Sequence, residues 1–299
     1  MIKVTNLTKK FDDHTALSGV NLHIKKGSVY GLVGPNGSGK TTIIKHIMGI
    51  YKQDKGSVLI DNENVYDNTE LKQRMVYIPD DLYFPPTFST IDMAKFYASL
   101  YKNFSWDKFH ELSKIFTIDK KKRVAKLSKG MQKQVAFWIS ISCSPDIIIM
   151  DEPIDGLDPV MRRMVWSVIL NEVSKRDVTV LISSHNLREL EDVCDHVGIL
   201  HLGKVLLEKP LDDMKSDTHK LQIAFSEHLP QELTEKLDVL CSTTTGRVTT
   251  LIVRGAKEEI LKTANSYNPL LADLIPLTLE EVFIYELGGK GYDFANIIY

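Results

Sequence analysis

The amino-acid sequence predicts an α/β protein, because short apolar runs typical of buried strands alternate with longer runs of helical periodicity. The run at 28–33 (SVYGLV) is almost wholly apolar, and a glycine-rich loop and a helical stretch follow it. Runs of the same kind recur at 147–150 (IIIM) and 178–183 (VTVLIS), as in the buried strands of a parallel sheet. Residues 219–299 carry strand and helix patterns of their own, which indicates a second, smaller domain.

The composition is that of an ordinary globular protein, with 299 residues, 43% hydrophobic residues and a formal net charge of −2. This charge gives no sign of nucleic-acid binding. The apolar runs are far shorter than the ~20 residues of a membrane span, and the N-terminus lacks a signal-peptide core, so we expect a cytoplasmic protein. Cys143, Cys194 and Cys241 lie far apart, which favours buried, reduced thiols over a metal site.

The remaining elements follow in chain order. The run at 20–24 (VNLHI) alternates like a half-exposed strand, and apolar residues between 83 and 143 recur at helical spacing, which predicts an inserted helical subdomain. The polar stretch 209–218 is interpreted as a linker. Beyond it, strands are predicted at 221–225, 239–242, 248–253 and 272–276, and helices at 231–237 and 257–266. This βαββαβ order predicts a ferredoxin-like α+β domain.

A phosphate-binding pattern lies at 34–42 (GPNGSGKTT), between a predicted strand and a predicted helix. Glycines let backbone amides approach phosphates, and a helix N-terminus adds a positive dipole end, so this context disfavours an incidental glycine-rich turn. We therefore predict a P-loop NTPase that binds the polyphosphate of a nucleotide and Mg²⁺, with Lys40 at the β- and γ-phosphates and Thr41 on the metal. The loop residues expected to contact the nucleotide are Gly34, Asn36, Gly37, Ser38, Gly39, Lys40, Thr41 and Thr42.

Two acidic residues follow the apolar run IIIM. Asp151 ends the predicted strand, where it can orient water on Mg²⁺, and Glu152 is placed to act as general base on an attacking water. His185 follows another predicted buried strand and can bond to the γ-phosphate. Phe11 can stack on adenine, although a lone aromatic residue is more often part of a core.

The motifs GPNGSGKTT, LSKGMQ, IIIMDEP, DGLDP and SSH occur in the order and spacing of the ATP-binding subunits of ABC transporters, which the chain resembles over residues 1–210. The resemblance implies that two subunits pack head to tail, and that the LSKGMQ signature of one closes over the γ-phosphate bound by the other. Ser128 and Gly130 would then bind ATP in trans. Taken alone, Ser128 would be interpreted as a helix N-cap without a ligand.

The resemblance also assigns roles to single positions. Phe11 matches the adenine-stacking aromatic residue, Asp158 the acidic residue of the loop that communicates across the dimer, and His185 the γ-phosphate switch histidine. Lys129 replaces the commonest glycine of the signature, a variation that exporter-type ATPases carry.

Asp80 stands where the family usually has a glutamine that touches Mg²⁺ and links the site to the membrane subunit. An aspartate oxygen can still bind a hard cation, so the predicted metal ligands are Thr41, Asp80 and Asp151.

The implied function is an ATPase, with Glu152, His185 and Lys40 as catalytic residues, that powers export by separate integral membrane subunits at the inner face of the cell membrane. It would touch the membrane only through that partner, which is expected to dock on the helical subdomain at exposed aromatic residues such as Tyr83, Phe84, Phe88 and Phe96. The tail 277–293 resembles exporter ATPases of phenol-soluble modulins, which implies amphipathic or antimicrobial peptides as cargo.

Other functions remain as alternatives. A soluble ABC-type ATPase acting on ribosomes or DNA would usually have two such domains or long coiled coils, whereas this chain has one P-loop and no sustained heptads. A small P-loop kinase is disfavoured by the signature motif. The sequence leaves open whether the second ATP-binding subunit is a copy or a related chain, and whether the C-terminal domain dimerises, regulates or only buries the chain end.

Overall fold

The computed structural model describes residues 1–212, 218–226, 229–275, 277–278 and 281. The chain divides into two compact units, of which the first comprises residues 1–186 with 193–208. The second comprises residues 187–192 and the described residues from 209 onwards. The boundary that the sequence predicts between an ATP-binding domain ending at residue 210 and an accessory domain starting at residue 219 stays a prediction.

The elements of the N-terminal two thirds are numbered here in chain order. The strands are β1 Ile2–Phe11, β2 His14–Ile24, β3 Val29–Val33, β4 Lys55–Ile60, β5 Glu63–Asn64, β6 Met75–Ile78, β7 Ile147–Asp151, β8 Thr179–Ser184, β9 His196–His201 and β10 Lys204–Pro210. The helices are α1 Lys40–Ile47, α2 Thr69–Gln73, α3 Thr90–Leu100, α4 Trp106–Leu112, α5 Lys129–Ser142 and α6 Pro159–Arg176. Short 3₁₀ turns occupy Val124–Lys126 and Leu187–Glu189.

The central sheet has the strand order β10-β9-β3-β8-β7-β6, and its strands from β9 to β6 pair in parallel. Strands β3, β7 and β8 are buried along their whole length, which confirms the prediction from their apolar runs. In the register, Val33 lies opposite Ser184, and Asp151 lies opposite Ser183. The carboxyl ends of these strands therefore meet at one edge, where ligands bind in open parallel sheets.

A second sheet of order β2-β1-β4-β5 begins with a long hairpin, of which the sequence predicted only residues 20–24. Register shifts interrupt the β1–β2 pairing, and such bulges break the regular alternation that marks a strand in sequence. Helix α1 contacts β7 of the central sheet and β2 and β4 of this one. One apolar core joins the two sheets through residues such as Leu7, Leu32 and Ile44.

The helical periodicity at 83–143 corresponds to α3, α4 and α5. Ser89 caps α3 in a capping box with Asp92, and Ser105 and Ser128 cap the next two α-helices. Inside the block, the rings of Phe109 and Trp138 stack with centroids 4.6 Å apart. The Trp138 indole N–H is satisfied because it donates to the Phe109 carbonyl at 2.8 Å.

The predicted docking aromatics differ in exposure. Tyr83 is 82% exposed and Phe96 is 47% exposed, as expected of residues that are available to a partner. Phe84 and Phe88 are only half-exposed, and the Phe88 ring lies edge-on to that of Phe96 at 6.4 Å. The prediction of four exposed aromatics is therefore wrong for Phe84 and Phe88, since each side chain is partly covered.

The second unit contains β11 Thr218–Ala224, α7 Gln231–Lys236, β12 Asp238–Thr245, β13 Val248–Arg254, α8 Lys257–Asn265 and β14 Leu271–Ile275. The four strands pair antiparallel in the order β12-β13-β11-β14. Leu221, Leu251 and Ile260 belong to a core that this unit forms by itself. Most of the tail at 277–293 lies outside the described residues. Its resemblance to peptide exporters therefore stays a prediction.

Among the described residues, no helix is long and apolar enough to cross a membrane. Cys143 and Cys194 are buried free thiols, and burial raises the pKa of Cys143 to about 12, so this thiol stays protonated and inert. Cys241 lies on the edge strand β12 and is half-exposed, so the prediction of burial is wrong for this residue.

Candidate nucleotide-binding and catalytic site

A cavity of about 360 Å³ opens at the edge of the central sheet where β3, β7 and β8 end. It brings together most of the predicted nucleotide contacts with Asp80, Asp151 and Glu152. The lining residues are Phe11, His14, Ala16, Pro35, Asn36, Gly37, Ser38, Gly39, Lys40, Thr41, Thr42, Asp80, Asp151 and Glu152. Gly34 is absent from this lining. Its carbonyl accepts a hydrogen bond from Lys40, and a side chain there would collide with the Leu200 carbonyl.

The phosphate loop connects β3 to α1 in a conformation that requires glycine. Gly39 precedes α1 with a φ of 110°, and a β-carbon at this position would lie 2.8 Å from the Leu17 side chain. No side chain in the described part of the chain caps α1, and the first turn of α1 contains no acidic residue. The backbone amides at this helix end are therefore available to an anion, which the helix dipole favours.

Lys40 supplies a buried positive charge at the floor of the cavity. Its side chain is 6% exposed, and its ammonium donates to the Gly34 carbonyl at 2.6 Å. The same group pairs with Glu152 Oε1 at 3.2 Å. A buried ammonium is costly unless it is paired, so a bound phosphate would have to replace Glu152 as the counter-charge of Lys40.

Asp151 is the centre of a cluster of hydroxyl groups. The Thr41 hydroxyl donates to Asp151 Oδ2 at 2.7 Å, and the Ser183 hydroxyl donates to the other carboxylate oxygen. Burial and the Asp151 charge together raise the pKa of Tyr77, whose hydroxyl lies 3.5 Å from Oδ2. Thr41 and Asp151 offer the oxygen ligands that Mg²⁺ prefers, so the donor set fits this ion.

Glu152 adopts a left-handed backbone conformation with a φ of 45°, which is strained for a residue other than glycine. Its N–H donates to Ser183 Oγ at 3.1 Å, and its carbonyl accepts from Lys133 at 2.8 Å. Its Oε2 lies 2.9 Å from His185 Nδ1. Glu152 therefore joins Lys40 to His185, and all the predicted catalytic residues form one contiguous group.

The structure gives less support to Asp80 as a metal ligand than to Thr41 and Asp151. Its carboxylate lines the cavity and is 60% exposed, and Oδ1 lies 3.6 Å from the Lys133 ammonium. Among the described His, Cys, Asp and Glu residues, the one group of three that could hold a metal ion is Glu152, Asp155 and His185, and it excludes Asp80. The role of Asp80 as a metal ligand stays a prediction.

Besides Gly34 and His185, three predicted nucleotide contacts do not line this cavity. Ser128 caps α5 by accepting from the Met131 N–H at 3.3 Å. Asp158 caps α6, because its Oδ1 accepts the backbone N–H groups of Val160 and Met161, each at 3.0 Å. Gly130 is packed so that an added β-carbon would lie 3.2 Å from the Gly156 carbonyl. Within one chain, these residues do not join the phosphate loop.

Sequence reasoning missed Ser183, Tyr77 and Lys133. Ser183 could have been found, because it is a polar residue near the end of a strand that neighbours Asp151 in the predicted parallel sheet. Tyr77 and Lys133 gave no such signal, since their contacts depend on how α5 and β6 pack around the cavity.

The chain is similar to ABC transporter proteins by several comparisons. A sequence model of the ABC transporter family matches residues 17–155. The ABC transporter ATP-binding protein YtrB of Bacillus subtilis (strain 168) is 31% identical over 290 residues, which cover 97% of this chain and 99% of YtrB. The bacitracin transport ATP-binding protein BcrA of Bacillus licheniformis is 34% identical over 238 residues, which cover 74% of this chain and 73% of BcrA.

The fold also matches a solved structure, the dimeric structure of MJ0796, a bacterial ABC transporter cassette. The match has a TM-score of 0.65 at 24% sequence identity and covers 71% of this chain and 99% of that one. At this identity, the comparison supports the fold.

Replacing Lys40 by alanine is expected to weaken nucleotide binding by about 10- to 100-fold, because the phosphates lose a charged hydrogen-bond donor. Titration with a fluorescent ATP analogue measures this loss. Lys26→Ala, which removes an exposed lysine, is the matched control and should bind like the unmodified chain. Equal affinity of the Lys40→Ala variant and the control would contradict the assignment of the cavity.

Proposed function

The chain belongs to the family of ABC transporter ATP-binding proteins and is an ATPase, and from this premise we propose that two ATP-binding subunits hydrolyse ATP at their shared interface to power export by separate membrane subunits. The observation that carries the proposal is the position of Glu152 between Lys40 and His185 at the mouth of the phosphate loop. This arrangement supplies a base and a phosphate-binding cation that line the cavity, with His185 bonded to the base.

The proposed mechanism follows from these contacts. When the phosphates bind, Lys40 turns from Glu152 Oε1 to the phosphate oxygens, and the Glu152 carboxylate becomes free to accept a proton from the attacking water. His185, already held by Glu152 through Nδ1, is placed to bond to the γ-phosphate. Thr41 and Asp151 would hold Mg²⁺, which when bound neutralises charge on the phosphates.

The positions of Ser128 and Gly130 support a site completed by a second subunit. Both lie at the N-terminus of α5, where backbone N–H groups can donate hydrogen bonds to an anion. Neither residue lines the cavity of its own chain. MJ0796, which shares the fold, is described as a dimer. A head-to-tail arrangement would bring Ser128 and Gly130 of one subunit over the phosphate loop of the other, with Asp158 near the contact.

Mixing two inactive variants tests this arrangement. Lys40→Ala disables the phosphate loop and Ser128→Arg disables the signature, so each variant alone should hydrolyse ATP slowly. A mixed dimer contains one site with an intact loop and an intact signature, so mixing is expected to restore up to about a quarter of the unmodified rate if the subunits pair at random.

Phosphate release from the separate and mixed variants at equal total concentration is the measurement. A mixture of Lys40→Ala with Glu152→Gln is the control and should stay inactive, because every mixed site lacks either the lysine or the base. If the first mixture also stays inactive although both variants fold, the site is not shared between two copies.

We also propose that the transported cargo is a peptide and that the membrane partner docks on the helical subdomain. BcrA is by name a bacitracin transport protein, which supports a peptide antibiotic or a related amphipathic peptide as cargo. Tyr83, at 82% exposure, and Phe96 offer apolar surface in this subdomain. Exposed aromatic groups of this kind are typical of protein interfaces.

Replacing Tyr83 by glutamate should weaken docking, because a charge would be buried against the partner without a counter-charge. The measurement is the fraction of the chain that sediments with membrane vesicles of the cells in which it is expressed, and we expect this fraction to fall at least about fivefold. Leu270→Glu, at a 69% exposed residue of the second unit, is the control. Equal sedimentation of both variants would exclude Tyr83 from the docking surface.

The second unit supports a further assignment. Its βαββαβ order and its strand order β12-β13-β11-β14 are those expected of a ferredoxin-like domain, and we propose that class for it. Its own apolar core indicates an accessory domain that folds around a separate centre.

A further inference from the structure

Lys133 is a buried cation that the proposed mechanism does not use. It lies on α5, the helix that begins after Ser128, and only 7% of it is exposed. Its ammonium donates to the Glu152 carbonyl at 2.8 Å and lies 3.6 Å from Asp80 Oδ1. A lysine is rarely buried without such partners, so these contacts define where its charge resides.

The Glu152 backbone depends on this contact. With a φ of 45°, Glu152 is held in a region that costs free energy and persists only where the surroundings enforce it. Ser183 on β8 accepts the Glu152 N–H, and Lys133 on α5 donates to its carbonyl. The residue is therefore clamped from two elements, by Ser183 of the SSH motif and by Lys133, which follows the LSKGMQ motif.

The position of the carboxylate follows from the position of this backbone. Glu152 Oε1 lies 3.2 Å from Lys40, and Oε2 lies 2.9 Å from His185. Relaxation of the strained backbone would change both distances. A displacement of about 1 Å in a catalytic group can reduce a rate by about a hundredfold, so the clamp has a kinetic consequence.

Asp80 is a second partner of Lys133 and also lines the phosphate-loop cavity. A glutamine here would be neutral, whereas Asp80 places a negative charge near the buried ammonium. The pair is long and Asp80 is largely exposed, so its energy is small in this state. The firm contact of Lys133 is with the Glu152 carbonyl.

We propose that Lys133 is a positioning residue for ATP hydrolysis, which holds the Glu152 backbone so that the carboxylate faces the attacking water. This inference rests on the proposed role of Glu152 as the base. Because Lys133 and Ser128 share α5, any displacement of that helix would be transmitted to the catalytic carboxylate of the same chain. Glu152 would thus be correctly oriented only while α5 keeps its packing against the site.

The test is Lys133→Met, which keeps the length of the side chain and removes the donor. We expect kcat to fall about 10- to 100-fold, while KM for ATP changes less than about threefold, because Lys133 does not line the phosphate-loop cavity. Lys133→Arg, which keeps a charged donor, should recover most of the loss. Lys175→Met removes an exposed lysine of α6 and is the matched control, with unchanged kcat.

A double variant distinguishes positioning from a general structural role. If Lys133 acts through Glu152, adding Lys133→Met to Glu152→Gln should change the residual single-turnover rate by less than about twofold, since residues that act as a unit are not additive. A full further loss in that background, or a parallel loss of ATP affinity, would overturn the proposal. If Lys133→Met does not fold by its thermal unfolding curve, Lys133→Gln takes its place in the same comparison.

The two variants distinguish a failure of the proposed function from a failure of the positioning role. Unchanged turnover of Glu152→Gln would remove Glu152 as the base, whatever Lys133 does. Slow turnover of Glu152→Gln together with unchanged kcat of Lys133→Met would keep the base and overturn only the positioning role.

Discussion

The parallel register of β3, β8 and β7 is the constraint on which the site depends. Because these strands are buried and pair in parallel, their carboxyl ends must meet at one edge of the sheet. The phosphate loop, the Asp151–Glu152 pair and His185 each follow one of these ends. A slip of one residue would turn Asp151 away from Ser183, so the same apolar packing that stabilises the sheet also aligns the predicted catalytic groups.

The charged groups at the centre of the site are paired with one another or with hydroxyl groups of the same chain. Lys40 is paired with Glu152, and Glu152 is also bonded to His185. The hydroxyls of Thr41 and Ser183 satisfy Asp151. In the proposed mechanism, a nucleotide exchanges these contacts for new ones, and the exchange at Lys40 frees the Glu152 carboxylate. The proposed mechanism therefore couples nucleotide binding to activation of the base through the Lys40–Glu152 ion pair.

The sequence was informative where a local pattern determines the geometry. The phosphate loop was predictable because its glycines, its lysine and its flanking strand and helix lie in one continuous stretch, and the buried strands were predictable from their apolar runs. The hairpin β1–β2 was largely missed because bulges hide its alternation. Lys133 and Tyr77 were missed because their contacts arise when α5 and β6 pack against the site, which no local pattern encodes. The left-handed conformation of Glu152 is likewise a product of tertiary contacts.

The central claim is that two subunits share each nucleotide, and the mass of Glu152→Gln in solution tests it most directly. Light scattering on a sizing column, with and without ATP and Mg²⁺, is the measurement. A variant that binds ATP but lacks the base should accumulate in the closed state, so the account predicts a monomer without nucleotide and a dimer with ATP and Mg²⁺. A variant that binds ATP and remains a monomer would contradict a site formed by two copies of this chain.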